Sequence, residues 1–178
     1  GDLDAVYNFA EKYSLRVIED AAHAFGTKYK KKRVGSFGDV ACFSFDGIKT
    51  ITSGEGGCII TEDLEILRKV KDARLLGVEK DTDLRYKGER SWTFDVKNQG
   101  WRYHMSNIMA AIGLEQIKSF SKFAEKRQLL AKQYDRLLKN HPIIKPVKRD
   151  YTNVVPHIYV VRVIGMKNRN SVQQKLNQ

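Results

Sequence analysis

Lys49 lies between an apolar segment, residues 40–45, and a glycine cluster made by Gly54, Gly56 and Gly57. A second short apolar run, 58–60, follows the cluster. An ammonium on a turn between two buried strands is costly unless it is paired or neutralised. Desolvation lowers lysine pKa values in general, and an amine that is neutral at working pH can attack a carbonyl carbon. Lys49 is therefore a candidate covalent anchor for an aldehyde cofactor. The alternative is a solvated loop lysine flanked by flexible glycines, and this segment alone does not decide between them.

A second segment, VIEDAAHAFG at 17–26, has the apolar start of a buried strand and carboxylates at its end. Ligands of open α/β sheets bind at the C-terminal ends of the strands. An acid there, followed by small residues and His23, can form a polar site beneath a ring-shaped cofactor. Pyridoxal phosphate (PLP) chemistry needs such an acid, because a protonated pyridine nitrogen lets the ring accept electrons. Asp20 also fits a helix cap or turn acid, and His23 a satisfied core histidine.

Three blocks in order resemble the DegT/StrS group of sugar aminotransferases: IEDAAHAFG (18–26), GSFGDVACFSFDGIKTITSGEGG (35–57) and GWRYHMSNIMAAIGLEQI (100–117). A weaker match is VPHIYVVRV at 155–163. Members of this group are fold-type I PLP enzymes that act on keto sugars linked to nucleotides. The resemblance implies an α/β fold, with a partial PLP-binding large domain over 1–120 built on a mostly parallel sheet with flanking helices. A linking helix and the start of a small α/β domain would occupy 121–178. The resemblance also implies a homodimer.

The same resemblance assigns roles. Lys49 matches the lysine that forms a Schiff base with the cofactor and then shuttles a proton. Asp20 matches the acid that pairs with the pyridinium nitrogen, His23 the position, glutamine or histidine in the family, that contacts the ring 3-oxygen, and Ser44 the hydroxyl that binds the cofactor phosphate. Ala22 would pack against one ring face, and His157 matches a histidine near the sugar site. Arg102 stands where the family usually has an asparagine that reaches the partner's cofactor phosphate, and His104 where it usually has arginine. A charged, bidentate donor could take over that contact with different geometry. Relatives with histidine at the lysine position dehydrate the sugar, so Lys49 favours transamination of a keto-deoxy sugar, with glutamate as the expected amino donor. An inactive, truncated member of the same family is the alternative.

These residues need elements to position them. Residues 1–13 have the pattern of an amphipathic helix capped by Asp2, with Val6, Phe9, Ala10 and Tyr13 inward. Leu64, Leu67, Val70 and Leu75 suggest a helix within 62–76. Residues 77–100, including Asp81, Asp83, Gly88 and Trp92, have little periodicity and suggest a long loop. Two helical stretches follow, 107–120 with Ile108, Ala111, Ile112 and Ile117 near one face, and 123–140, which ends before Pro142. The domain boundary is expected near Phe120, and residues 157–163 form an expected strand. The family's large domain begins upstream with a turn at a helix N-terminus that binds phosphate. Nothing here matches that turn, so the chain is expected to be a fragment of a longer enzyme.

The chain has 178 residues with 32 Lys+Arg against 21 Asp+Glu, a net charge of +11. Such a surface suits nucleic acid, a membrane surface or an anionic substrate. The basic residues are dispersed, apart from KYKKKR at 28–33, which suggests a solvated hairpin turn. No nucleic-acid-binding signature accompanies them, so no nucleic-acid partner is expected, and a basic nucleic-acid-binding protein is the remote alternative. No run of apolar residues suits a membrane span, and no metal site is expected. Cys42 and Cys58 sit in apolar contexts as free thiols, which suits a reducing, cytoplasmic setting.

Overall fold

The computed structural model describes residues 1–78, 87–88, 95–166 and 168–177. Asp81, Asp83 and Trp92 of the expected long loop lie outside the described residues.

The catalytic-looking segments sit on a small mixed sheet. β1 (Ile18–Asp20) runs parallel to β4 (Val40–Ser44), pairing Ile18 with Val40 and Asp20 with Cys42. β5 (Gly57–Ile60) runs antiparallel on the other side of β4, from Ala41 opposite Ile60 to Ser44 opposite Gly57. The order is β1-β4-β5. The central strand reads VACFS, apolar on both faces, as a strand covered on both sides must be. Ala21, Ala41 and Phe43 form the core, with Ala24, Phe25, Val34, Phe45 and Cys58 packed against it. Gly57 is required where β5 begins, because a Cβ there would lie 2.5 Å from the Phe43 carbonyl oxygen. Cys58 stands opposite Phe43 and Cys42 opposite Ile59, so the two free thiols point to opposite faces of the sheet.

Between β1 and β4, β2 (Lys28–Tyr29) and β3 (Lys32–Arg33) form the expected hairpin. α1 (Leu3–Lys12) begins at Asp2, whose carboxylate accepts from the Ala5 N–H at 3.2 Å. Of the four residues expected inward, only Ala10 is buried; Val6, Phe9 and Tyr13 are exposed. The helix is tied down by a polar contact instead. Tyr7 donates its hydroxyl proton to Glu19 of β1, and that carboxylate also accepts from Gly38 N–H at 3.1 Å. Phe9 and Tyr13 pack on each other, with ring centroids 4.7 Å apart. α2 (Leu64–Ala73) is capped by Asp63, which accepts from the N–H groups of Glu65 and Ile66.

α3 (Asn107–Leu138) joins the two expected helical stretches into one continuous helix of 32 residues, and Phe120 lies inside it. No proline interrupts it, and Ser106 caps its start by accepting from Met109 N–H. Ile108, Ile112 and Ile117 are exposed, so other residues of the helix approach the rest of the chain. Met109 meets Gly54, Gly113 meets Ser53, Phe120 meets Gly26, and Ala124 and Ala131 are buried. On this face Met109 and Phe120 reach over loop glycines, while Gly113, Ala124 and Ala131 bring the helix itself close.

After α3, β6 (Ile144–Pro146) pairs antiparallel with β7 (Val161–Val163). The strand expected over 157–163 therefore starts only at Val161. The preceding residues, 153–159, run as a strap between α3 and Thr27–Lys28 at the start of β2. α4 (Arg169–Leu176) follows, capped by Asn168.

Candidate active site

β1 ends in a tight turn that presents His23. Ala21 N–H still bonds to Cys42 carbonyl at 2.9 Å, extending the parallel pairing by one residue. Asp20 Oδ1 then accepts from Ala22 N–H at 3.1 Å, and Ala24 N–H closes back onto the Ala21 carbonyl at 2.9 Å. Asp20 is exposed and Ala22 is half-buried. Ser44 ends the neighbouring strand β4, so the carboxylate and the hydroxyl sit at the C-terminal ends of two adjacent parallel strands. In an open α/β sheet those ends face the ligand.

The loop from 45 to 56 carries Lys49, and short polar side chains brace it. Ser44 Oγ accepts from Asp46 N–H at 3.3 Å, and Asp46 Oδ1 accepts from Ile48 N–H at 3.1 Å. Thr52 donates its hydroxyl to the Phe45 carbonyl at 3.1 Å and accepts from Gly54 N–H at 2.8 Å. Thr50, Ile51 and Ser53 are buried, which fixes the loop on the C-terminal side of the lysine. Lys49 itself is half-buried.

Lys49 Nζ lies 3.0 Å from His23 Nε2. An ammonium can only donate, so facing a charged Lys49 this nitrogen is the acceptor and the imidazole proton sits on Nδ1. The His23 ring in turn packs against the His157 ring, with centroids 4.2 Å apart and planes inclined at 53°. Three candidates from distant parts of the sequence thus meet in one cluster. Asp20, Ala22 and Ser44 lie on the strand ends and turns that carry it. Arg102 is exposed on a separate segment: Trp101 N–H and Tyr103 N–H bond to the Ala73 and Arg74 carbonyls at the end of α2, and Leu75 bridges Arg102. His104, on the same segment, is also exposed.

The strap that delivers His157 is held from both sides. Lys28 N–H donates to the Asn153 carbonyl at 2.8 Å, and Val155 N–H to Thr27 Oγ1 at 3.1 Å. From α3, Arg127 Nη1 donates to the Pro156 and His157 carbonyls at 3.4 and 3.3 Å, and Gln128 Nε2 to the Val154 carbonyl at 3.2 Å. Tyr159 donates to Asp135 Oδ1 at 2.7 Å, and burial together with that carboxylate pushes the phenol well above its usual pKa. Burial, then the charges of His23, Lys49 and Arg127, pull the His157 pKa below its usual value. His157 Nδ1 is buried and has no hydrogen-bond partner among the described residues.

Sequence reasoning missed Arg127, Gln128 and Asp135, and also Asp46 and Thr52. A signal for Arg127 was present, since it lies three residues after Ala124 and four before Ala131, on the stripe of small residues. No comparable signal marks Gln128 or Asp135.

Residues 1–178 match the DegT/DnrJ/EryC1/StrS aminotransferase family. The chain is 36% identical over 163 residues to the spore coat polysaccharide biosynthesis protein SpsC of Bacillus subtilis (strain 168), covering 91% of this chain and 42% of SpsC. It is 33% identical over 161 residues to UDP-4-amino-4,6-dideoxy-N-acetyl-beta-L-altrosamine transaminase of Campylobacter jejuni subsp. jejuni serotype O:23/36 (strain 81-176), covering 90% of this chain and 41% of that protein. Among solved structures it is similar to Helicobacter pylori PseC, an aminotransferase involved in the biosynthesis of pseudoaminic acid. That similarity has a TM-score of 0.81 at 30% identity and covers 99% of this chain and 44% of PseC. The chain spans about two fifths of the length of these curated relatives, 41–42%.

Proposed function

Because the chain belongs to the DegT/DnrJ/EryC1/StrS aminotransferase family, we propose that it carries the lysine-centred part of a PLP-dependent amino-group transfer to a nucleotide-linked keto-deoxy sugar, with glutamate as donor. The observation that carries this reading is the contact of Lys49 Nζ with His23 Nε2 at 3.0 Å, beside the C-terminal ends of β1 and β4. The donor set suits PLP: an amine for its aldehyde, a carboxylate for its ring nitrogen and a hydroxyl for its phosphate. When bound, PLP supplies the electron sink that amino-group exchange requires.

In this reading Lys49 holds the cofactor covalently and afterwards moves a proton at Nζ. Asp20, at the end of β1, keeps a proton on the ring nitrogen. Ser44 Oγ accepts from Asp46 N–H, which leaves its own hydrogen free to donate to a phosphate oxygen. Ala22 offers a small side chain to one ring face, and His23 faces the 3-oxygen. His157 Nδ1, buried and without a partner, offers a hydrogen-bonding atom to a sugar hydroxyl. Arg102 is assigned to the cofactor phosphate of a second copy in a homodimer. We assign 1–120 to the cofactor-binding domain and 121–178 to the linking helix and part of a small domain. The free thiols Cys42 and Cys58 support a reducing, cytoplasmic setting. Among the described residues no helix is long and apolar enough to cross a membrane.

The test follows nitrogen. With ¹⁵N-glutamate and a nucleotide-linked keto sugar, mass spectrometry is expected to find the label on the sugar with the wild-type protein and not with Lys49→Ala. PLP binding without transfer to any keto sugar would instead indicate an inactive member of the family.

A further inference from the structure

We infer that His23 is the proton acceptor through which Lys49 loses its ammonium proton when the aldehyde cofactor is first attached. This inference rests on the reading of Lys49 as the anchoring residue. Lys49 reacts only as a free amine, and His23 Nε2 is the group placed 3.0 Å from its nitrogen. An imidazole is suited to this transfer because its ordinary pKa lies near neutrality, about 6.5.

The surroundings direct the proton to His23. His23 is faced by Lys49 from the 45–56 loop and by His157 from the strap, with Arg127 of α3 behind the strap; its own turn begins at Asp20. His157 is biased to its neutral form, first by burial and then by the neighbouring positive charges, so it does not compete as a base. His157 acts instead as the wall that holds the His23 ring against Lys49. His23 is an exposed residue, so its ring can exchange a proton with water.

The step balances. The ammonium nitrogen gives its first proton to Nε2, and the freed lone pair forms a bond to the aldehyde carbon. The imidazolium returns that proton to the aldehyde oxygen. A second proton from the same nitrogen joins it there, and the oxygen leaves as water. The nitrogen keeps its third proton, a C=N bond replaces C=O, and the positive charge is conserved. No oxidant, reductant or further reactant takes part.

The test is the rate at which the cofactor-free protein takes up PLP, followed by absorbance across pH 5.5–10 (a span of about 4.5 units that starts below the ordinary histidine value and stops just short of the ordinary lysine value). The attachment point is checked by borohydride reduction and peptide mapping. In the wild type, uptake is expected to reach its plateau at a lower pH than in a variant with no base at this position. His23→Gln keeps a hydrogen-bonding group but cannot accept a proton. It is expected to slow uptake at pH 7 by about 100-fold, the scale of a lost general base, and to need a higher pH than the wild type to reach its plateau. Imidazole added to His23→Ala is expected to restore the rate in proportion to its concentration, a response that a purely structural role would not give.

Wild-type rate and pH profile in His23→Gln, with the adduct on Lys49, would overturn this inference while leaving the Lys49 assignment in place. No Lys49 adduct in the wild type at any pH would overturn both.

Discussion

A Cβ built on Gly26 would lie 2.0 Å from Cζ of Phe120, so the long helix α3 is seated directly on the backbone that follows His23. The Phe120 ring also meets Phe25 edge-on, with centroids 5.0 Å apart. Gly26 has φ +78°, a conformation that side chains disfavour. Gly26→Ala therefore adds backbone strain to a clash with a packed ring. It is expected to destabilise the fold by about 2–5 kcal/mol, from about 1–2 for the left-handed backbone and 1–3 for overpacking. Denaturant unfolding measures it; a loss under about 0.5 kcal/mol, the scale of a surface substitution, would mean that Phe120 is not held there.

The strap gives a separate expectation. Arg127 donates to two successive carbonyls, and its guanidinium stays charged at any working pH. Arg127→Ala is expected to lower stability by about 1–2 kcal/mol, at the low end for charged hydrogen bonds because these are long. It is also expected to shift the NMR signals of the His157 ring. Loss of stability with unchanged His157 signals would show that Arg127 supports α3 without positioning the strap.

His157 predicts a pH dependence. Its pKa is lowered in the folded chain, by burial first, so the unfolded chain binds a proton that the folded chain resists. Stability from this group is complete above the ordinary histidine value of about 6.5. It is lost as pH falls from there through the lowered folded value. His157→Gln is expected to flatten the stability profile below neutrality; an unchanged slope between about pH 6.5 and 5 would assign it to other groups.

The basic hairpin predicts a gain. Lys30 and Lys31 both have positive φ, 45° and 70°, at the turn between β2 and β3. Turns of this kind favour asparagine and glycine. Lys31→Gly is expected to stabilise the fold by about 0.5–1 kcal/mol, the relieved strain being partly offset by the freer unfolded chain. Thermal unfolding at fixed pH and salt checks the sign.

The parts of this molecule that could be read from the chain are those in which one short segment carries its own reason. Asp2 and Asp63 cap helices by bonding N–H groups two or three residues ahead. The tandem of IEDAAHAFG with the lysine loop singled out Lys49 and His23 for separate roles toward one cofactor, and their direct contact is a finding of the folded chain. The rest depends on distant contacts. Asp135 and Gln128 look like solvated charges and amides of a surface helix, and only the folded chain brings Tyr159 and Val154 to them. Ile108, Ile112 and Ile117 are exposed, while Met109, Gly113, Phe120 and Ala124 are turned toward the rest of the chain, an orientation that only the folded loops decide. β6 is three residues ending in proline, too short and too atypical to be recognised without its partner β7.

The central claim is that Lys49 is the residue that takes the cofactor. Reduction of the PLP-loaded protein with borohydride, followed by peptide mapping, tests it most directly. The account predicts one stable pyridoxyl modification, on Lys49, lost in Lys49→Ala. A modification on another lysine, with Lys49 unmodified and Lys49→Ala loading normally, would contradict it.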